Sequence, residues 1–172
     1  GKSAIILVPE ISLTPQITSR FKSVFKESIA ILHSSLSDGQ RYDEFRRIIK
    51  GEVKVVIGAR SAIFAPLKDI GAIIIDEEHS ESYKQENNPR YNTLDIATRR
   101  SFYHKCPVIL GSATPTIESY ARAKKGYYDY IELSKRVNEK PLPKVTIVDM
   151  KSEIKKGNSM FSILLLDKNK DR

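Results

Sequence analysis

Cysteine is almost absent from this chain of 172 residues: Cys106 stands alone, so no disulfide framework can form within it. A reducing compartment suits such a chain, and a cytoplasmic location is expected. Histidine is scarce too. With His33, His79 and His104 beside one cysteine, no Cys/His spacing describes a zinc site. No apolar run approaches the ~20 residues of a membrane-spanning helix, so no membrane association is expected. The opening residues lack a signal-peptide pattern, and internal repeats and low-complexity segments are missing. The first residue is Gly rather than Met, which fits a fragment.

At 40% hydrophobic and 29% charged, the chain has the composition of a soluble globular domain and not of a disordered one. The formal charge is +8. Residues 135–172 hold ten Lys/Arg against five Asp/Glu, so most of the basic excess lies in the tail. A basic balance favours an anionic partner such as nucleic acid, although a solvated Lys-rich surface gives the same count.

Short aliphatic runs alternate with amphipathic stretches. Ala4–Val8, Ile29–Leu32, Val53–Ile57, Ala72–Ile75 and Val108–Leu110 read as buried strands. Thr14–Lys26, Ser37–Lys50, roughly Thr93–Tyr103 and Ile117–Ala123 read as helices. Ser37 and Gln40 offer a capping box, and Gly51 offers a stop. Tyr127–Leu133 and Val145–Val148 alternate like less buried strands, and Lys135–Lys144, with two prolines, reads as a linker. Aliphatic strands separated by helices predict an α/β fold with a mostly parallel sheet covered on both faces.

The strongest chemical feature is Asp76-Glu77-Glu78-His79, delivered directly by the strand Ala72–Ile75. In open parallel sheets, ligands bind at the C-terminal ends of strands. Phosphoryl-transfer sites need one carboxylate for Mg²⁺ and a second group for the attacking water. Asp76, Glu77, Glu78 and His79 are therefore the candidate nucleotide-site residues, with Asp76 as the metal ligand; the competing reading is a charged turn that caps the next helix. Gly111-Ser112-Ala113-Thr114-Pro115 follows the next core strand and brings two hydroxyls to the same edge. Thr114-Pro115 could also simply start the Ile117 helix.

Asp76–His79 and Ser112–Thr114 resemble motifs II and III of superfamily 2 helicases. The segments LVPEISLTPQ (Leu7–Gln16), HSSLSDGQR (His33–Arg41), VVIGARSAIFAP (Val55–Pro66), IIIDEEH (Ile73–His79), SYKQENNPRY (Ser82–Tyr91) and LGSATPTIES (Leu110–Ser119) resemble, in order over about residues 3–150, the primosomal replication-restart helicases. The resemblance implies a RecA-like P-loop NTPase lobe of three layers, one of two that hold ATP and Mg²⁺ between them. It implies ATP-driven unwinding at stalled forks. Its partners would be single-stranded and forked DNA, primosome proteins and single-strand-binding proteins.

Carried over by position, Asp76 would hold Mg²⁺, Glu77 would activate water, and Ser112 and Thr114 would couple hydrolysis to motion. Leu7–Gln16, with Pro9 and Thr14, and Gly58–Ala62, with Arg60 and Ser61, resemble the segments that hold the DNA backbone. Ser82–Tyr91 resembles an aromatic-rich loop: Tyr83 and Tyr91 would stack on bases, and Lys84 and Arg90 would supply positive charge. The alternatives are a surface arginine paired with an acid, and tyrosines that pack the loop onto the lobe. His79 could bridge the acidic motif to that loop.

Gly1-Lys2-Ser3 imitates the end of a phosphate-binding loop but runs into a strand, whereas a true loop opens a helix. The lobe is thus expected to be truncated before its phosphate-loop strand. Residues 1–134 would be the partial ATP-binding lobe, and 135–172 its end and the start of an inter-lobe linker. The family's second lobe and its zinc-binding insertion would lie beyond. The chain alone is expected to hydrolyse no ATP. Two alternatives stand beside the helicase reading: a non-catalytic nucleic-acid-binding module, and another superfamily 2 DNA translocase.

Overall fold

The computed structural model describes residues 1–134, 145–155 and 160–170. Two compact units emerge, Gly1–Tyr130 and Ile131–Arg172. The expected linker Lys135–Lys144 lies outside the described residues.

The first unit is built on β1 (Ser3–Leu7), β2 (Ile29–Leu32), β3 (Val55–Gly58), β4 (Ile70–Ile75) and, later in the chain, β7 (Val108–Leu110). They form one sheet in the order β2-β3-β1-β4-β7, and every pairing is parallel. Parallel neighbours need crossovers, and helices supply them. Three of the four crossovers carry α1 (Pro15–Phe25), α2 (Asp38–Lys50) and α3 (Thr93–His104), the β3–β4 connection carries only a short helix over Arg60–Phe64, and α4 (Ile117–Lys124) follows β7. A short antiparallel ribbon of β5 (Lys84–Gln85) and β6 (Tyr91–Asn92) precedes α3.

Local chemistry sets the helix limits. Thr14 caps α1 through its Oγ1, 3.4 Å from the Ile17 amide, and Pro15 opens the first turn. Ser37 and Gln40 form the full capping box of α2: Gln40 N donates to Ser37 Oγ at 3.3 Å, and Ser37 N to Gln40 Oε1 at 3.0 Å. Gly51 ends α2 at φ +81°, a conformation that favours glycine.

The apolar residues sort onto two faces. Val8, Ile29, Ile31, Val55 and Ile57 pack with Phe21 and Phe25 of α1. Ile5, Leu7, Val56, Ile73 and Ile75 pack with Ile48 and Phe45 of α2 and with Ala97 and Leu94 of α3. The sheet is thus covered on both faces, in three layers. Of the apolar residues along α2, Phe45 and Ile48 pack inward while Tyr42 and Ile49 are exposed.

The two late strands expected at Tyr127–Leu133 and Val145–Val148 do not form. The described residues there have no regular structure, and Ile131, Leu133, Val145 and Ile147 are exposed. Alternation licenses a strand only where a neighbouring strand can accept its hydrogen bonds, and none of the described strands pairs with them. The second unit contributes α5 (Met150–Lys155) and α6 (Ile163–Lys170), and Ile163 N donates to Glu153 Oε2 at 2.8 Å.

Candidate nucleotide and nucleic-acid site

Because the sheet is parallel, the C-terminal ends of its strands share one edge. Register makes the central ends level: Leu7 stands beside Gly58 and Ile75, and Ile75 beside Leu110. The turns leaving β1, β3, β4 and β7 therefore start from one line, where ligands of open parallel sheets bind.

The acidic turn begins with Asp76, whose N–H donates to Leu7 O at 2.9 Å. Asp76 Oδ1 accepts from the Glu77 amide at 3.1 Å, and the side chain is exposed. Glu77 takes φ +48°, a left-handed conformation that costs a residue with a Cβ roughly 1–3 kcal/mol. Ser80 N closes the turn on Glu77 O at 2.8 Å. Gly111 faces Asp76: a Cβ there would stand 3.4 Å from Asp76 Oδ1. The missing side chain keeps the space beside the carboxylate open.

Ser112 and Thr114 leave β7 next to this turn. His79 Nδ1 lies 2.7 Å from Ser112 Oγ and 3.5 Å from Glu77 Oε2, and Ser112 Oγ accepts from Thr114 N at 3.0 Å. Asp76, Glu77, His79, Ser112 and Thr114 thus form one linked group. His79 bridges to Ser112 and not to the aromatic loop.

Glu78 corrects the expectation of a nucleotide-site role. It is 4% exposed, and its carboxylate accepts from Thr116 N (2.7 Å), Thr116 Oγ1 (3.3 Å) and Ser119 Oγ (3.1 Å). Successive side chains of the turn diverge, so Glu78 points into the protein and onto the start of α4. Thr116, not Thr114, is the N-cap of that helix. A hydroxyl residue directly before Ile117 was a legible capping signal; the buried acid beneath it was not.

Tyr83 is the second correction. It is 1% exposed, and its hydroxyl donates to Asp76 O at 2.7 Å. A buried ring cannot stack on a base, so the packing alternative holds for Tyr83. Burial pushes its phenol well above the usual tyrosine value, with Asp76 and Glu77 adding to the shift. Its carbonyl accepts from Thr93 Oγ1 at 2.8 Å, which ties the acidic turn to the start of α3.

The expected DNA contacts fall into three places. Pro9 is buried and its carbonyl accepts from Ser12 N at 2.8 Å, so it shapes the turn after β1 instead of presenting a contact group. Thr14, half-buried, serves as the α1 cap. Arg60 leaves β3 in a one-turn helix over Arg60–Phe64, entered through Gly58, where a Cβ would come within 2.6 Å of Ala62 Cβ. Arg60 Nη1 donates to Ser82 O (3.1 Å) and Lys84 O (2.7 Å), and its guanidinium stands 6.0 Å from the Tyr91 ring centre.

Phe64, not singled out in the sequence, meets Tyr91 edge to face at 5.1 Å. Ser61, Lys84 and Arg90 are exposed, and Arg90 Nε donates to Glu86 O at 2.9 Å. Arg60, Lys84 and Tyr91 are thus brought together. Arg100, also unforeseen, holds the same one-turn helix from α3 by donating to Ala65 O at 2.9 Å and to Ile63 O.

Mg²⁺ bound with a nucleotide asks for one or two carboxylates, with water and phosphate oxygens completing its octahedron. Asp76, exposed and beside the open Gly111 position, fits that demand. The described residues hold no cluster of three or more His, Cys, Asp or Glu that could cage a metal. Gly1-Lys2-Ser3 does not cradle phosphate: Ser3 is the first residue of β1. None of the described helices is long and apolar enough to cross a membrane.

A five-stranded parallel sheet thus carries an acidic turn and a Ser-Ala-Thr turn at the ends of two neighbouring strands, β4 and β7. Over residues 1–123 the chain matches the DEAD/DEAH box helicase family, and it belongs to that family. It is 57% identical over 169 residues to the Replication restart protein PriA of Bacillus subtilis, an alignment that covers 98% of this chain and 21% of that protein. The Replication restart protein PriA of Synechocystis is 49% identical over 168 residues, covering 94% of this chain and 20% of that protein. The chain thus spans about a fifth of the length of these relatives.

Proposed function

We propose that this chain is the part of an ATP-driven DNA helicase that carries its acidic and hydroxyl turns, acting in replication restart and primosome assembly. The linked group Asp76, Glu77, His79, Ser112 and Thr114 carries the reading: an exposed, metal-suited carboxylate and a half-exposed second one stand at the sheet edge, and His79 Nδ1, 3.5 Å from Glu77 Oε2, lies 2.7 Å from Ser112 Oγ in the turn that would relay the reaction. The family and the likeness to replication restart proteins support it.

Asp76 would hold Mg²⁺, and ATP bound with that ion would supply the phosphoryl group to be transferred. Glu77, set apart from Asp76 by its left-handed backbone, would accept the proton of the attacking water. Ser112 and Thr114 would follow the acidic turn through His79. The DNA backbone would run past Thr14, Ser61, Lys84 and Arg90, with Tyr91 available to a base. Single-stranded and forked DNA, primosome proteins and single-strand-binding proteins would be its partners in the cytoplasm. A zinc-binding region would belong to another part of the protein.

The test is ATP hydrolysis by the full-length protein, with and without single-stranded DNA, beside Glu77→Gln. Strong DNA stimulation in the parent and a loss of roughly 10²–10⁴-fold in the variant are expected. Equal, DNA-independent rates in both would overturn the catalytic assignment and leave a nucleic-acid-binding module. The 172-residue chain alone is expected to show no Mg²⁺-dependent turnover, because no described loop cradles the phosphates.

A further inference from the structure

We infer that Glu78 is the positioning residue that makes α4 and the Ser112–Thr114 turn follow the acidic turn. This deepens the motor reading above and rests on it.

The two turns are joined along their whole length. Gly111 is held from both sides by main chain of the acidic segment: its N–H donates to Ile75 O at 2.8 Å, and its carbonyl accepts from Glu78 N at 3.0 Å. His79 to Ser112 is an exposed second link. Glu78 is the third, and the buried one. Its two carboxylate oxygens take one backbone and two hydroxyl donors from the first turn of α4, and no buried side-chain polar atom among the described residues is left unpaired. A carboxylate is favoured there twice, by charge-assisted hydrogen bonds and by the positive end of the helix.

Ser112, Ala113 and Thr114 lie between the Gly111 anchor and the Thr116 anchor. Both anchors are fixed to the turn that carries Asp76 and Glu77. A displacement of that turn is therefore delivered to α4 as a unit. Glu78 performs this from inside the protein: Asp76 is exposed and Glu77 half-exposed, while Glu78 is buried.

Glu78→Gln keeps the network, because its amide oxygen can accept from Thr116 N and its NH₂ can donate to Thr116 Oγ1 and Ser119 Oγ. Glu78→Ala removes the acceptor of Thr116 N and of both hydroxyls. In the full-length protein, Glu78→Ala is expected to lower DNA-stimulated kcat about tenfold while KM for ATP stays within about twofold, and Glu78→Gln to restore most of the loss. Amide exchange of α4 should quicken in Glu78→Ala and stay near the parent in Glu78→Gln, a readout that needs no activity.

A rise in KM with kcat unchanged would mean that Glu78 touches the nucleotide, and would overturn the inference. So would wild-type kinetics in Glu78→Ala, or α4 exchange that ignores both variants. A parent that shows no DNA-stimulated hydrolysis would instead sink the motor reading, and the exchange experiment would still decide whether Glu78 anchors α4.

Discussion

Tyr83 shows how one residue's role turns on burial. The sequence offers a tyrosine in a polar loop, suited to a base or to the protein. The structure buries its ring and spends its hydroxyl on Asp76 O, so the acidic turn gains a main-chain anchor. Tyr83→Phe keeps the ring and orphans that carbonyl, and is expected to cost about 1–3 kcal/mol of stability, read by denaturant unfolding. The pH dependence follows from the raised phenol. A folded value above the unfolded one, about 10, means that the contribution is fully present below pH ~10 and lost as pH climbs toward the folded value. The parent should lose stability steeply in alkali, and Tyr83→Phe less so. Identical alkaline profiles would show that the phenol is not a stability determinant.

At the scale of elements, the β5–β6 ribbon depends on an arginine that belongs to another segment. The ribbon has two residues per strand, too few to stand alone. Arg60 ties it to the one-turn helix after β3 through Ser82 O and Lys84 O, and its guanidinium meets Tyr91. The residue expected to grip phosphate therefore holds the loop that presents Lys84 and Tyr91, with its other guanidinium donors as the means of any phosphate contact. Arg60→Ala is expected to loosen the 84–92 segment, so that limited proteolysis there accelerates several-fold over the parent. Unchanged cleavage would mean that the ribbon is held by Tyr83 and Thr93 instead. Nothing in the sequence announces this latch, since its acceptors are backbone carbonyls more than twenty positions away.

For the molecule as a whole, the order β2-β3-β1-β4-β7 leaves β7 at one margin of the sheet. Ile109, in the middle of β7, is 51% exposed. Among the described residues no strand pairs with the outer side of β7, and a margin strand with an exposed apolar side chain is a template for another strand. The 172-residue chain on its own is expected to self-associate with rising concentration, and Ile109→Lys to shift it toward monomer in sedimentation velocity. A parent that stays monomeric throughout would show that the β7 margin is protected.

Runs of aliphatic residues, the Ser37–Gln40 box and Gly51 determined where the core strands and α2 lie, because each is a local signal whose physics spans a few residues. Asp76–Glu77 directly after an aliphatic strand, with Ser112–Thr114 after the next, likewise placed the candidate chemistry, because the end of a parallel strand is also the ligand edge of its sheet. Periodicity failed at Tyr127–Leu133 and Val145–Val148, where alternation was present but no described strand stood alongside to pair. Which acidic residues reach solvent at the sheet edge, which tyrosine is buried and which arginine holds a loop were decided by tertiary structure alone. Glu77 and Glu78 are chemically equal and adjacent. Only the left-handed backbone at Glu77 and the arrival of Thr116 and Ser119 from a later helix leave one half-exposed at the sheet edge and send the other into the protein.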